Sequence, residues 1–163
     1  MLRKIGNNII GDKMKIKEII KNDFIIGNVN DKVSKIAKIM KENNIGFVPI
    51  EENKNIVGIV TDRDICINAI SNKDIENKIK NYMKTSIIYI DEEKDIKDAL
   101  YLMGKEKVKR LLVTRNDEVI GVLSLSDLLH VKEDELILKT IQSIFHTDKI
   151  QKQKEAEIDE FYL

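Results

Sequence analysis

The stretch Gly58-Ile59-Val60-Thr61-Asp62-Arg63-Asp64-Ile65 returns 63 residues later as Gly121-Val122-Leu123-Ser124-Leu125-Ser126-Asp127-Leu128. That return decides the architecture, because self-similarity at a fixed period marks repeated structural units. The register extends backwards without a gap. Ile56 and Val57 fall on Val119 and Ile120, Val48 and Ile50 on Leu111 and Val113, and Met40 on Met103. Further back, Val33, Ile36 and Ala37 fall on Ile96, Ala99 and Leu100, Ile25 on Ile88, and Ile19-Ile20 on Tyr82-Met83. Identities are few, but the apolar pattern is kept throughout.

Each unit reads as strand, helix, strand, turn, strand, helix. In the first, Phe24-Ile25-Ile26 is a short apolar strand, and Val33, Ile36, Ala37 and Met40 recur at helical spacing between Asp31 and Asn43. Phe47–Ile50 and Ile56–Val60 flank the polar run Glu51–Asn55, the pattern of a hairpin. Pro49 has no N–H to give a ladder, which predicts an edge strand or a bulge there. The second unit gives a strand at Ile87–Ile90, a helix from Asp95 to about Lys105, and a hairpin of Arg110–Thr114 with Val119–Ser124 across Asn116-Asp117. Ile75, Ile79 and Met83 fall on one stripe of an expected connecting helix. The fold class is α/β: two pseudo-symmetric units, each a small three-stranded sheet with flanking helices, packed as one module with a cleft between them as the natural ligand site.

Composition narrows the function. Lys plus Arg total 28 and Asp plus Glu total 28, a balance that argues against a nucleic-acid or acidic-membrane binder. One cysteine, Cys66, cannot form an internal disulfide, and with His130 and His146 the only histidines no Cys/His metal site is expected. Cys66 reads as a small core residue. Every apolar run is broken by charge well short of the ~18 residues a spanning helix needs, and no signal-peptide centre opens the chain. A cytoplasmic, metal-free protein is expected. Ser126, Asp127 and His130 are too close along one helix to act as nucleophile, base and orienter in series. The carboxylate runs Glu51-Glu52 and Asp91-Glu92-Glu93 read as solvated turns or a helix start.

Thr61-x-x-Asp64 and Ser124-x-x-Asp127, each at a strand-to-helix junction, carry two readings. As capping boxes, the hydroxyl and the carboxylate satisfy orphan N–H groups reciprocally. As a ligand site, the helix start welcomes phosphate and the carboxylate accepts both hydroxyls of a ribose. The readings overlap, since a capping hydroxyl keeps a proton to donate.

Two units ending in Gly-h-h-Thr/Ser-x-x-Asp-h, where h is apolar, the first preceded by Ile45-Gly46-Phe47-Val48-Pro49-Ile50, resemble a tandem pair of cystathionine-β-synthase (CBS) domains over about Met14 to Val131. The resemblance implies a module that binds adenosine compounds (AMP, ADP, ATP or S-adenosylmethionine) and forms a homodimer through its helices, here through the stripe Ile75, Ile79 and Met83 together with Ile65 and Leu128. It implies Asp64 and Asp127 as ribose contacts, Thr61 and Ser124 on the polyphosphate side, and Ile25 and Ile88 lining the adenine pockets. Arg63 lies inside the first motif and suits phosphate. In the second, Leu125 and Ser126 stand instead of Asp62 and Arg63, while Arg110 and its neighbour Lys109 are candidates for charge from the cleft wall or for a solvated strand edge. Leu112 stands where the first repeat has Pro49. One good site, at Asp64, and one altered site, at Asp127, are expected.

The division is then a lead at 1–13, the first unit at 14–70, a connecting helix and second unit at 71–131, and a C-terminal helical tail at 132–163. In the tail, Leu136, Ile137, Ile141, Ile144 and Phe145 form an apolar stripe that must cover either its own module or a second chain. The expected function is a regulatory sensor that is not an enzyme. It takes an adenine nucleotide as regulatory ligand, with no obligatory cofactor, and signals to an effector protein. The alternative is a dimerisation or interaction scaffold without ligand.

Overall fold

The computed structural model describes residues 14–20 and 23–145. The first unit is built from β1 (Gly27–Asn28), α1 (Val33–Asn43), β2 (Phe47–Glu52) and β3 (Asn55–Thr61), followed by the turn α2 (Asp62–Asp64), which runs into a π-helical stretch at Ile65–Ile70. The second repeats it with β4 (Tyr89–Asp91), α3 (Ile96–Glu106), β5 (Arg110–Arg115), β6 (Glu118–Ser124) and a 3-10 helix at Leu125–His130. Helix α4 (Asp134–Phe145) follows. Each unit holds one three-stranded sheet, ordered β1-β2-β3 and β4-β5-β6, with a parallel first pair and an antiparallel hairpin. The hairpins turn at Asn53-Lys54 and Asn116-Asp117, all four with positive φ, the backbone that matches the twist of the flanking strands.

Two apolar cores form, one per unit. Val33, Ile36 and Met40 of α1 pack with Val48, Ile50 and Val60, and Ile96, Leu100 and Met103 of α3 with Leu111, Val113 and Leu123. The repeat register therefore maps one core onto the other. Chain order and packing order differ, however. Ile16 belongs to the core of the second unit, whereas Ile79 belongs to that of the first. Each lead-in segment serves a helix start: the carbonyls of Asn77 and Ile75 accept from the amides of Val33 and Ser34, and Met14 accepts from Ile96. These are the orphan N–H groups of α1 and α3.

That duty replaces the expected connecting helix. Residues 71–78 run through turns, and only Ile79–Asn81 make a 3-10 turn, leaving Ile75 exposed. Carbonyls spent on α1 cannot also bond along their own helix, and Asn72 and Asp74 favour local side-chain bonds over helix.

Pro49 lies on the central strand of its sheet, paired with Ile59, not at an edge, and the hairpin's register shift falls just beyond it, between Ile50 and Glu51. It is tolerated because β1 stops short of it. In the second unit the Leu112 amide donates to Ile88 O at 3.0 Å and Tyr89 pairs with Leu112. Pro49 cannot make the equivalent bond, so β1 begins only at Gly27, opposite Ile50. The expected strands at Phe24–Ile26 and Ile87–Ile90 are thus both shifted, the first entirely.

Two further expectations are corrected. Cys66 is exposed, because Ile65 and Ala69 take the inward positions of the π-helical stretch. Glu92 is not a solvated carboxylate: it is 6% exposed and held by the Arg115 guanidinium through Nε to Oε1 and, at 2.8 Å, Nη2 to Oε2. Arg115 keeps its carboxyl below the usual range. Glu93 binds Lys15 and Lys17, fastening the lead-in to the second unit.

Helix α4 covers its own module. Ile137 joins the second core, and the hydroxyls of Thr140 and Ser143 donate to the Leu100 and Gly104 carbonyls of α3.

Candidate functional site

Both Thr/Ser-x-x-Asp motifs form the carboxylate half of a capping box. Asp64 Oδ2 accepts from the Thr61 amide at 3.0 Å and its hydroxyl at 2.6 Å, and the Asp64 amide donates to Thr61 Oγ1 at 3.2 Å. Asp127 Oδ2 accepts from the Ser124 amide at 2.8 Å and hydroxyl at 2.6 Å. Each box leaves Oδ1 as the oxygen that could meet something else, and here the motifs part. Asp64 Oδ1 binds the Lys84 ammonium at 2.7 Å. Burial pushes the Asp64 carboxyl up, but Lys84 and Thr61 together bring it below the usual carboxylate range. Among the described residues no cation pairs with Asp127. The counterpart of Lys84 at the repeat offset, Lys21, lies outside them.

Asp127 and Ser124 open onto a cavity of about 310 Å³ between the units, at the low end of the ~300–1,000 Å³ typical of ligand sites. The first unit supplies Asp23, Phe24, Ile25, Asn44, Ile45, Gly46, Phe47 and Pro49; the second adds Arg110, Val122, Ser124 and Asp127. The first unit's wall is mostly apolar, with Asp23 and Asn44 its polar members, and the facing rim carries a carboxylate, a hydroxyl and a guanidinium. Phe24 and Ile25 reach it because Pro49 leaves them outside the ladder. Gly46 runs beside the exposed Asp62 side chain, whose Oδ2 would have to turn aside for a Cβ there.

Of the residues singled out by sequence, the structure brings together Ile25, Arg110, Ser124 and Asp127. It does not bring Thr61, Arg63, Asp64, Lys109 or Ile88 to this cavity. Arg63 is exposed. Lys109 points the other way, its ammonium 4.3 Å from the Phe145 ring centroid on α4, and Ile88 packs against the second core. Sequence reasoning ranked the motif containing Arg63 first, while the guanidinium that lines the cavity comes from Arg110. It also passed over Phe24, Phe47 and Lys84. Phe47 was legible as the repeat partner of Arg110; for Lys84, distant in sequence from Asp64, no local signal existed.

No group of three potential metal ligands and no helix long and apolar enough to cross a membrane occurs among the described residues.

The fold defines a tandem-repeat α/β module, with the Asp127 cavity lying between its two units. The chain belongs to the CBS domain family: the CBS domain model matches residues 16–69 and 79–134. It is 33% identical over 117 residues to the uncharacterized protein YlbB of Bacillus subtilis, covering 70% of this chain and 79% of that one. Among solved structures, the CBS domain protein TA0289 of Thermoplasma acidophilum superposes with a TM-score of 0.73 at 25% identity, over 81% of this chain and 76% of that one. The CBS domain pair of MJ0100, solved in complex with 5-methylthioadenosine and S-adenosyl-L-methionine, does so with a TM-score of 0.65 at 24% identity, over 72% and 94%.

Proposed function

We propose that this CBS pair is a regulatory module that takes an adenosine compound in the cavity between Phe24 and Asp127, without transforming it, and passes occupancy to an effector protein. The observation that carries this reading is the pairing of the apolar Phe24, Ile25, Phe47 and Pro49 with an Asp127 carboxylate and an Arg110 guanidinium across one cavity. A purine fits the Ile25, Phe47 and Pro49 side, a ribose diol can donate to Asp127, and phosphate suits Arg110 and Ser124. The adenosine ligands of the MJ0100 pair support the same ligand class. The adenine compound is a regulatory ligand, not an obligatory cofactor, and a cytoplasmic setting fits such ligands. Of the residues expected at the dimer surface, Ile65, Ile79 and Leu128 are buried in the two cores; Ile67, Ile70 and Leu129, exposed on the helices after the two motifs, are the surface through which we expect a homodimer.

A thermal-shift panel of AMP, ADP, ATP and S-adenosylmethionine with guanosine controls tests the reading. Ligand at ~100 times its Kd should add about 2.7 kcal/mol of stability. A melting temperature unmoved by every adenosine compound would favour an interaction scaffold, and a shift with guanosine compounds alone would overturn the adenine assignment.

A further inference from the structure

Phe24 belongs to two cavities at once. One is the Asp127 cavity; the other, of about 770 Å³, lies at the hairpin-turn end of the module. This second cavity is lined by repeat-equivalent positions of the two units, Ile26 with Tyr89, Lys54 with Asp117 and Ile56 with Val119. It therefore sits on the pseudo-two-fold axis, at the far end of β2 and β5 from Phe47 and Arg110. Among the described residues Phe24 alone lines both cavities.

The segment that carries Phe24 is held unequally in the two repeats. In the second, the Leu112 amide donates to Ile88 O at 3.0 Å, and Tyr89 and Ile90 pair with Leu112 and Val113. In the first, Pro49 stands at the position of Leu112 and has no N–H to give, so the ladder stops at Gly27, opposite Ile50, and Phe24, Ile25 and Ile26 lie beyond it. Gly27 is the fixed end. A Cβ there would come within 2.5 Å of Ile36 Cδ1 and 3.0 Å of Ile50 Cδ1, so its backbone rests directly on core side chains.

We infer that Phe24–Ile26 is a wall shared by the two cavities that shifts about Gly27 when the Asp127 cavity fills, carrying occupancy to the hairpin-turn end of the module. The inference rests on the reading that the Asp127 cavity takes an adenosine compound. A ligand against Phe24 and Ile25 presses on backbone that no bond from position 49 restrains. Ile26, the next residue, lines the other cavity and is 39% exposed, so nothing in the core opposes its displacement. The equivalent Ile88 and Tyr89 are tied to Leu112, and that wall stays in place. A ligand moves a conformational equilibrium only by contacting its two states differently, and here the contact is with the moving wall itself.

The chain contains no tryptophan, so Ile26→Trp places a single fluorescent reporter in the turn-end cavity, outside the lining of the Asp127 cavity. The full chain carrying it is titrated with AMP and with S-adenosylmethionine, and calorimetry on the same samples measures binding. The emission maximum is expected to shift along the binding isotherm of whichever compound binds. That shift is expected to be lost when Ile26→Trp is combined with Pro49→Leu, whose new amide ties Ile25 into the ladder before ligand arrives. Calorimetric binding with an unmoved emission, or a shift that survives Pro49→Leu at saturating ligand, would overturn the shared wall and leave the adenosine reading standing. No heat with either compound overturns both. Should Pro49→Leu not fold by circular dichroism, or not bind, Pro49→Ala supplies the same amide with a smaller side chain and carries the same expectation.

Discussion

The Arg110 guanidinium lies 5.4 Å from the centroid of the Phe47 ring, and the two residues hold the same position in their respective repeats. Each opens the first strand of its hairpin, β5 and β2, and each pairs with the motif residue that ends the hairpin, Ser124 and Thr61. The contact therefore joins one unit to the other at equivalent points, and both members line the cavity. An aromatic in one repeat and a cation in the other make the clefts chemically unequal at the place where they meet.

Arg110→Ala should weaken AMP more than adenosine. A charge-assisted bond contributes roughly 1.5–3 kcal/mol, so the AMP affinity should fall on the order of tenfold to a hundredfold while adenosine, lacking phosphate, changes little. Calorimetry with both ligands measures the difference; equal losses would assign Arg110 to packing on Phe47 alone.

Asp127→Ala should cost more affinity than Asp64→Ala, the reverse of the order suggested by the position of Arg63. Loss of the diol's acceptor is worth roughly 1–3 kcal/mol of binding. Asp64→Ala should instead lower folding stability by about 0.5–2 kcal/mol, as for a lost cap. Parallel binding and denaturant titrations of the two variants give the ranking.

Pro49→Leu, which copies Leu112 into the first repeat, should extend β1 towards Ile25. The new amide can donate to the Ile25 carbonyl as Leu112 does to Ile88, a gain of about 0.5–1.5 kcal/mol for one backbone bond, set against the freedom proline removes from the unfolded chain. Hydrogen exchange should find a protected amide at position 49; rapid exchange there would show that something other than the missing N–H keeps the strand short.

Acid should release the lead-in segment from the second unit before the cores unfold. Lys15 and Lys17 hold the Glu93 carboxyl down from 4.5 to about 2. A depressed carboxyl contributes stability above its unfolded pKa and loses it as pH falls through the folded one, so the window is about 4.5 down to 2. Amide exchange at Ile16 and Lys17, whose N–H groups donate to Lys94 and Glu92, should speed up across that window in wild type. Glu93→Gln should already show fast exchange at neutral pH, and an unchanged rate would mean the backbone bonds and Ile16 hold the segment alone.

The repeat, the helices α1 and α3, both hairpins and both capping boxes follow from local sequence, because each depends on apolar period, turn residues and a partner three residues away. Thr61 with Asp64 and Ser124 with Asp127 needed nothing beyond their own turn of chain. Only the tertiary structure decided which unit each lead-in segment joins, which motif faces the cavity, and which carboxylate is neutralised. Ile16 packing on the second core, Ile79 on the first, Lys84 on Asp64 and Glu92 under Arg115 are all choices of distant partners. Orphan N–H groups and buried carboxylates must be satisfied by something. Which group satisfies them depends on where the whole chain brings its polar atoms, and no local period records that.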